Sequence, residues 1–316
     1  MPDDVKVTMA LLNHGQWDAL RDGSVKPNGI AIEMSETTQG PQIYRRMVRE
    51  EAWDVAEVAI TTFLCAKAFN KPISAIPVFS NRDVTMSEIV INAKSGIKEP
   101  KDLEGKRVGM RSFTVTNNTQ ARALLKLELG VNTNAITWVV TEDAHVAEYK
   151  EPANVERAPE GTTLEEMLKA GDIDAAIQVR VKDGGDDIRP LLNEEEANEV
   201  GLSYFKKTGV YPIGHVIVIR DETLKAYPWI GGELFRAFKA SKDKYVDSLD
   251  SKTELNERDR QAIRNRELVS GDPLPFGLRR NRRSFEAMIQ WGKDQKIIPQ
   301  MLEADGLFAQ GTRDID

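Results

Sequence analysis

Glu57 stands inside the apolar run "WDVAEVAI", and His215 stands at the mouth of another, "TGVYPIGHVIVIR". An acid in a buried strand is costly unless it is paired or hydrogen-bonded. Glu57 therefore either points to solvent at a strand start or reaches into a cleft, where an arginine or a ligand hydroxyl would partner it. His215 has two readings as well: a core histidine bonded to backbone, or a cleft proton donor suited to work near neutral pH. Tyr211 precedes it at the same mouth.

Other polar groups gather where apolar runs end. Asn13, His14 and Gly15 follow the first run, Thr61 and Thr62 follow "VAEVAI", and Arg82 follows "AIPVFS". Arg111, Ser112, Thr116, Asn117 and Asn118 precede the helical pattern "TQARALLKLELG". Each alone reads as a helix cap that satisfies orphan N–H groups. As a set they also describe an anion site, since a helix N-terminus beside an arginine attracts negative charge. A carboxylate is the natural small anion. Standard signatures are missing. "LEGKRVG" has no glycine five residues before its Gly-Lys, no G-x-G-x-x-G follows a strand, and there is no G-x-S-x-G elbow. His14, His145 and His215 lie far apart, without an H-x-x-x-H pair or a cysteine partner. The expectation is a site with neither cofactor nor metal.

These residues need elements to position them. "VKVTMALLNHGQWDALRDG" and "KRVGMRSFTVTNNTQARALLKLELG" both read strand, polar turn, helix. The second places a strand at 107–110 and a helix from about 119 that ends at Gly130. "EEAWDVAEVAITTFL" and "KAGDIDAAIQVRV" also match each other. Strands alternating with helices imply sheets with helices on both faces, and ligand sites at the carboxyl ends of strands. The β-rich runs 75–79 and 88–92 lead from one lobe to the other, and "TGVYPIGHVIVIR" returns. A long amphipathic helix from about 228 and further helices, one opened by "RRNRR" (279–283), go back to the first lobe. Lobe I is 1–88 with 206–316 and lobe II is 89–205, with a cleft between them.

Composition limits the alternatives. The 316 residues carry a net charge of -7, which argues against non-specific nucleic-acid binding. No run approaches the ~18 apolar residues of a membrane span. "MPDDVKVTMALL" opens with acids where a signal peptide has basic residues, so a cytoplasmic location is expected. The single cysteine, Cys65, agrees with a reducing compartment and reads as a small buried hydrophobe.

"WDVAEVAITTF", "AIPVFSNR", "GIKEPKDLEGKRVG", "TGVYPIGHVIVIR", "YPWI" and "DPLPFGLRRNRRSFEAMIQWGKDQKIIP" together resemble the 4,5-dihydroxyphthalate decarboxylase family, whose fold is similar to that of type 2 periplasmic substrate-binding proteins. The resemblance implies a two-lobed α/β fold with a mixed, mainly parallel sheet in each lobe, and a small aromatic carboxylate as ligand. It carries Glu57, Thr61, Thr62, Arg82 and His215 over as matching positions. It departs at Thr85 and Met86, where the family usually has an Arg-His pair, and at Gln120, where a tryptophan is common. The implied chemistry is cofactor-independent decarboxylation. His215 or Glu57 protonates the ring carbon, Arg82 or Arg111 holds a carboxylate, and Asn117 and Asn118 orient ring hydroxyls. The alternative is a solute-binding protein that traps a small carboxylate without chemistry. No nucleic-acid or membrane partner is expected, and homo-oligomerisation stays open.

Overall fold

A computed structural model describes residues 4–179, 187–269 and 271–316. Its strands among these residues are β1 (Val5–Ala10), β2 (Ile30–Met34), β3 (Val55–Ala59), β4 (Ile73–Arg82), β5 (Ile89–Asn92), β6 (Arg107–Met110), β7 (Thr137–Val140), β8 (Val155–Arg157), β9 (Ala175–Ile177), β10 (Ile188–Pro190) and β11 (Ile213–Arg220). They form two mixed sheets, ordered β2-β1-β3-β11-β4 and β10-β5-β9-β6-β7-β8. The chain divides into two compact units, each built on one sheet. Unit 1 is Met1–Asp83, Tyr211–Ile289 and Gln300–Asp316; unit 2 is Val84–Val210 and Gln290–Pro299.

In unit 1, β1 pairs in parallel with β2 and β3, and β11 runs antiparallel between β3 and β4. All five residues of β3 are buried, as expected of a central strand covered on both faces. Val7, Met9, Trp17, Val55, Ile76, Val78, Ile217, Leu234 and Phe238 share one core cluster. Fully burying each large apolar side chain contributes about 1.5–3 kcal/mol. The helix Ile230–Ser248 covers this face with Ile230, Leu234, Phe235 and Phe238. Cys65 is buried, outside any disulfide, in the helix Ile60–Ala68.

The register of β11 decides which polar side chains meet. His215 lies opposite Ala59 on one side and Ser80 on the other, while Ile217 lies opposite Glu57. Side chains alternate along a strand, so Glu57, His215 and Ser80 share one sheet face, with Glu57 and His215 as diagonal neighbours. Gly214 is required just before His215. A Cβ there would lie 2.3 Å from the carbonyl oxygen of Asn81, a residue itself held at φ 53°.

In unit 2, β6, β7, β8 and β9 run parallel, and β5 pairs antiparallel with β9 and β10. β6 begins and ends where the sequence places it. The following helix, Thr116–Leu127, starts earlier than expected and takes Thr116, Asn117 and Asn118 into its first turn. Gly130 has φ 66°, the left-handed conformation predicted after this helix. No described helix is long and apolar enough to cross a membrane.

Candidate active site

Unit 1 holds a polar cluster around Glu57. Its carboxylate is fully buried, yet its contacts among the described residues come from donors and imidazoles. Oε2 accepts from the Trp17 indole N–H (2.9 Å) and the Leu12 backbone N–H (3.1 Å). Oε1 accepts from Ser80 Oγ (2.5 Å) and from His215 Nδ1 (3.0 Å). His14 Nε2 also lies 3.0 Å from Oε1. Burial pushes this carboxyl up, but the nearby His14 and the hydrogen bond of His215 outweigh it and hold it well below the usual carboxylate range. Glu57 is therefore ionised.

An ionised Glu57 fixes the tautomer of His215. Nδ1 carries the proton and donates it to Glu57, while Nε2 accepts from the Tyr44 hydroxyl at 3.0 Å. Burial lowers the proton affinity of His215 below the ordinary histidine value, against the opposing pull of Glu57. The ring is neutral at rest. Tyr44 comes from the helix Gly40–Glu50, whose buried Ile43, Tyr44, Met47 and Val48 form its core face. His14 follows β1 as the residue before the turn Gly15–Trp17. Its Nδ1 accepts from Arg258 Nη1 at 2.6 Å, which leaves the proton on Nε2, facing Glu57.

His14 and Arg258 open onto a pocket of unit 1. It measures about 420 Å³, open solvent included, and Gln16, Asn81, Arg82, Tyr245, Gln261 and Asn265 also line it. Arg258 is exposed and donates from Nη1 to the Asn13 carbonyl (2.7 Å) as well as to His14. Its Nε and Nη2 make no hydrogen bond among the described residues, so they can receive an anion. A larger pocket in unit 2, lined by Phe113, Arg122, Trp138 and Trp291 among others, contains none of the residues singled out from sequence.

The other predicted residues fall elsewhere. Thr61 and Thr62 are buried in the first turn of the helix after β3, and Asn13 is exposed, its carbonyl under Arg258. Arg82 is buried, and its guanidinium donates to the carbonyls of Pro212 (2.8 Å) and Tyr211 (2.5 Å) and to Asn281 Oδ1 (2.7 Å). It also stacks on the Tyr211 ring at 4.3 Å, and burial pushes its pKa down to about 10. Three of its five N–H donors therefore brace the protein. Tyr211 is buried with its hydroxyl on the Pro273 carbonyl (2.9 Å), an arrangement that serves packing. Arg111, Thr116, Asn117 and Asn118 belong to unit 2. There Arg111 lies 3.9 Å from Glu142, and Asn118 Nδ2 donates to the Ser112 carbonyl (3.0 Å).

Sequence reasoning missed Ser80, Trp17, Tyr44 and Arg258. Ser80 and Trp17 had local signals, one two residues before Arg82 and the other three after His14. Tyr44 and Arg258 had none, since they reach the cluster only through the fold.

A family model described as NMT1/THI5 like matches residues 19–177. A protein named 4,5-dihydroxyphthalate decarboxylase from Comamonas testosteroni is 26% identical over 325 residues, covering 96% of each chain. Another of that name, from Pseudomonas putida, is 31% identical over 185 residues, 56% of this chain and 71% of the other. Among solved structures, the periplasmic aliphatic sulphonate binding protein SsuA from Escherichia coli aligns over 99% of both chains with a TM-score of 0.53 at 13% identity. That level of identity speaks to fold alone.

Proposed function

The chain belongs to the NMT1/THI5 like family and to the 4,5-dihydroxyphthalate decarboxylases, and from that premise we propose that it is a non-oxidative decarboxylase of a hydroxylated aromatic carboxylate. The observation that carries this reading is the buried, ionised Glu57 with an imidazole 3.0 Å away on each of two sides, beside a pocket edged by Arg258.

Removing a carboxylate from an aromatic ring requires a proton at the carbon that bears it and an electron pair pushed into the ring. A ring hydroxyl ortho or para to that carbon supplies the pair once it loses its proton. An imidazole of the cluster takes that proton and becomes imidazolium, stabilised by Glu57, which stays ionised throughout. The imidazolium then protonates the ring carbon. The bond to the carboxylate breaks, CO2 leaves, and the bonding pair restores the aromatic ring as a phenolate, which solvent reprotonates. Arg258 holds a substrate carboxylate through its Nε and Nη2. A carboxylate bound there also raises the proton affinity of the adjacent imidazoles, because a negative charge within about 4–6 Å favours a cation. General-acid assistance contributes typically ~10²–10⁴-fold, and positioning in the pocket supplies the rest.

The test is to incubate the protein with 4,5-dihydroxyphthalate and with single-ring hydroxybenzoates while recording released CO2 and the thermal shift. Turnover supports the decarboxylase. A thermal shift without CO2 supports instead a protein that only binds the carboxylate.

A further inference from the structure

We propose that His14, Glu57 and His215 are the ligands of a divalent transition-metal ion, of the zinc, cobalt(II) or iron(II) class. Their candidate ligand atoms all lie within 4.8 Å of one another, and all three residues are buried. Two imidazoles and one carboxylate are a donor set that suits these ions and leaves other coordination positions open.

Two details of the geometry go beyond proximity. First, His14 Nε2 and His215 Nδ1 each lie 3.0 Å from the same oxygen, Glu57 Oε1. Ligands about 2.1 Å from one ion and at right angles to each other are separated by about 3.0 Å. Both N–O distances thus match neighbouring positions around a six-coordinate ion. Second, the His14 contact is at hydrogen-bond distance but lacks hydrogen-bond geometry: Nε2 is buried and has no hydrogen-bond partner among the described residues. A buried donor left in that state is costly. An ion shared by Nε2 and Oε1 explains why the ring is held there.

The surroundings also resemble those of a ligated metal. Trp17 and Leu12 fix the second carboxylate oxygen, Ser80 bonds the first, and Tyr44 holds the far nitrogen of His215. Such outer contacts orient metal ligands. Coordination moves the His215 proton from Nδ1 to Nε2, where it is donated to Tyr44. It likewise moves the His14 proton from Nε2 to Nδ1, which displaces Arg258 from that nitrogen. Arg258 is exposed and retains the Asn13 carbonyl, so it can swing away. Metal and Arg258 therefore compete for His14. An ion bound there occupies both imidazoles, so on the decarboxylase reading the metal-loaded protein loses the acid–base step and turns over more slowly than the stripped protein.

The experiment strips the full-length protein with a chelator and titrates it with Co²⁺, followed by calorimetry and by visible absorption. We expect one ion per chain, at least ~10-fold weaker binding in His14→Ala, and tighter binding in Arg258→Ala. The last effect is one that a purely structural role for the cluster would not produce. Absence of stoichiometric binding by the wild type, or binding unaffected by His14→Ala in a folded variant, overturns the proposal. CO2 release is measured on the same samples. Stripped protein that turns over and binds no Co²⁺ refutes the metal site and leaves the decarboxylase reading intact. Protein that binds Co²⁺ in the expected pattern but turns over neither stripped nor loaded supports the site and refutes that reading.

Discussion

Replacing Glu57 by Gln removes one negative charge without removing a heavy atom. The amide cannot match the carboxylate, because both oxygens of Glu57 accept hydrogen bonds. Trp17 and Leu12 only donate, so the amide oxygen must face them. The NH2 group then faces Ser80 and His215, which can reverse their bonds: the serine hydroxyl rotates, and His215 moves its proton to Nε2. Four charge-assisted bonds become neutral ones. At about 0.5–1 kcal/mol lost per bond, the variant is ~2–4 kcal/mol less stable. The chemical consequence is larger. His215 carries its proton on the wrong nitrogen and has no carboxylate to stabilise its imidazolium, so turnover falls by ~10²–10⁴. Urea unfolding and CO2 release measure the two effects on one preparation. A Glu57→Gln protein with the wild-type unfolding midpoint and turnover within about 3-fold of wild type would show that neither the stability nor the chemistry depends on the Glu57 charge.

Arg258→Ala should raise KM for the carboxylate substrate by ~10–100-fold, the worth of a charged hydrogen bond, with kcat within about 3-fold; steady-state kinetics showing a fall in kcat alone would contradict its binding role. Gly214→Ala places a Cβ 2.3 Å from a backbone oxygen and should cost at least ~1–3 kcal/mol in urea unfolding, since backbone must shift to admit it. Asp54 accepts from Thr8 N, Thr8 Oγ1, Thr223 Oγ1 and Arg220. Burial pushes its carboxyl up, but the Thr8 and Thr223 hydrogen bonds and Arg220 prevail and lower it. A folded-state value below the unfolded one stabilises above the unfolded value, and that stability is lost as pH falls through the folded value. The gap in urea midpoint between wild type and Asp54→Asn should therefore be full at pH 7 and shrink below about pH 4; a gap that stays constant with pH would remove Asp54 from the account.

The parts of the fold that follow local rules were legible in the sequence. The strand at 107–110, the left-handed Gly130 and the burial of Cys65 depend on residues near one another in the chain. Glu57 was legible as a problem: an acid in a run whose neighbours are all apolar must find partners. The partners were not legible. Two imidazoles, an indole, a hydroxyl and a backbone N–H arrive from positions 23 to 158 residues away, and strand register brings them together. The same non-locality explains Arg82. Its sequence position suggests a cation free to hold a substrate, but the fold lays two carbonyls from residues 211 and 212 across its guanidinium. The cation left with open donors at the pocket is Arg258, from a helix whose sequence "ERDRQAIRNREL" reads as a solvated charged surface. Histidine spacing likewise gave no metal motif, because His14 and His215 meet only across β3.

The most direct test of the account runs the reaction in D2O with 4,5-dihydroxyphthalate and examines the product by NMR. A decarboxylase working through Glu57 and its imidazoles releases one CO2, leaves a single deuterium on the ring carbon that carried it, and loses both when Glu57 is replaced by Gln. Recovery of unchanged substrate from wild-type protein that demonstrably binds it would contradict the account.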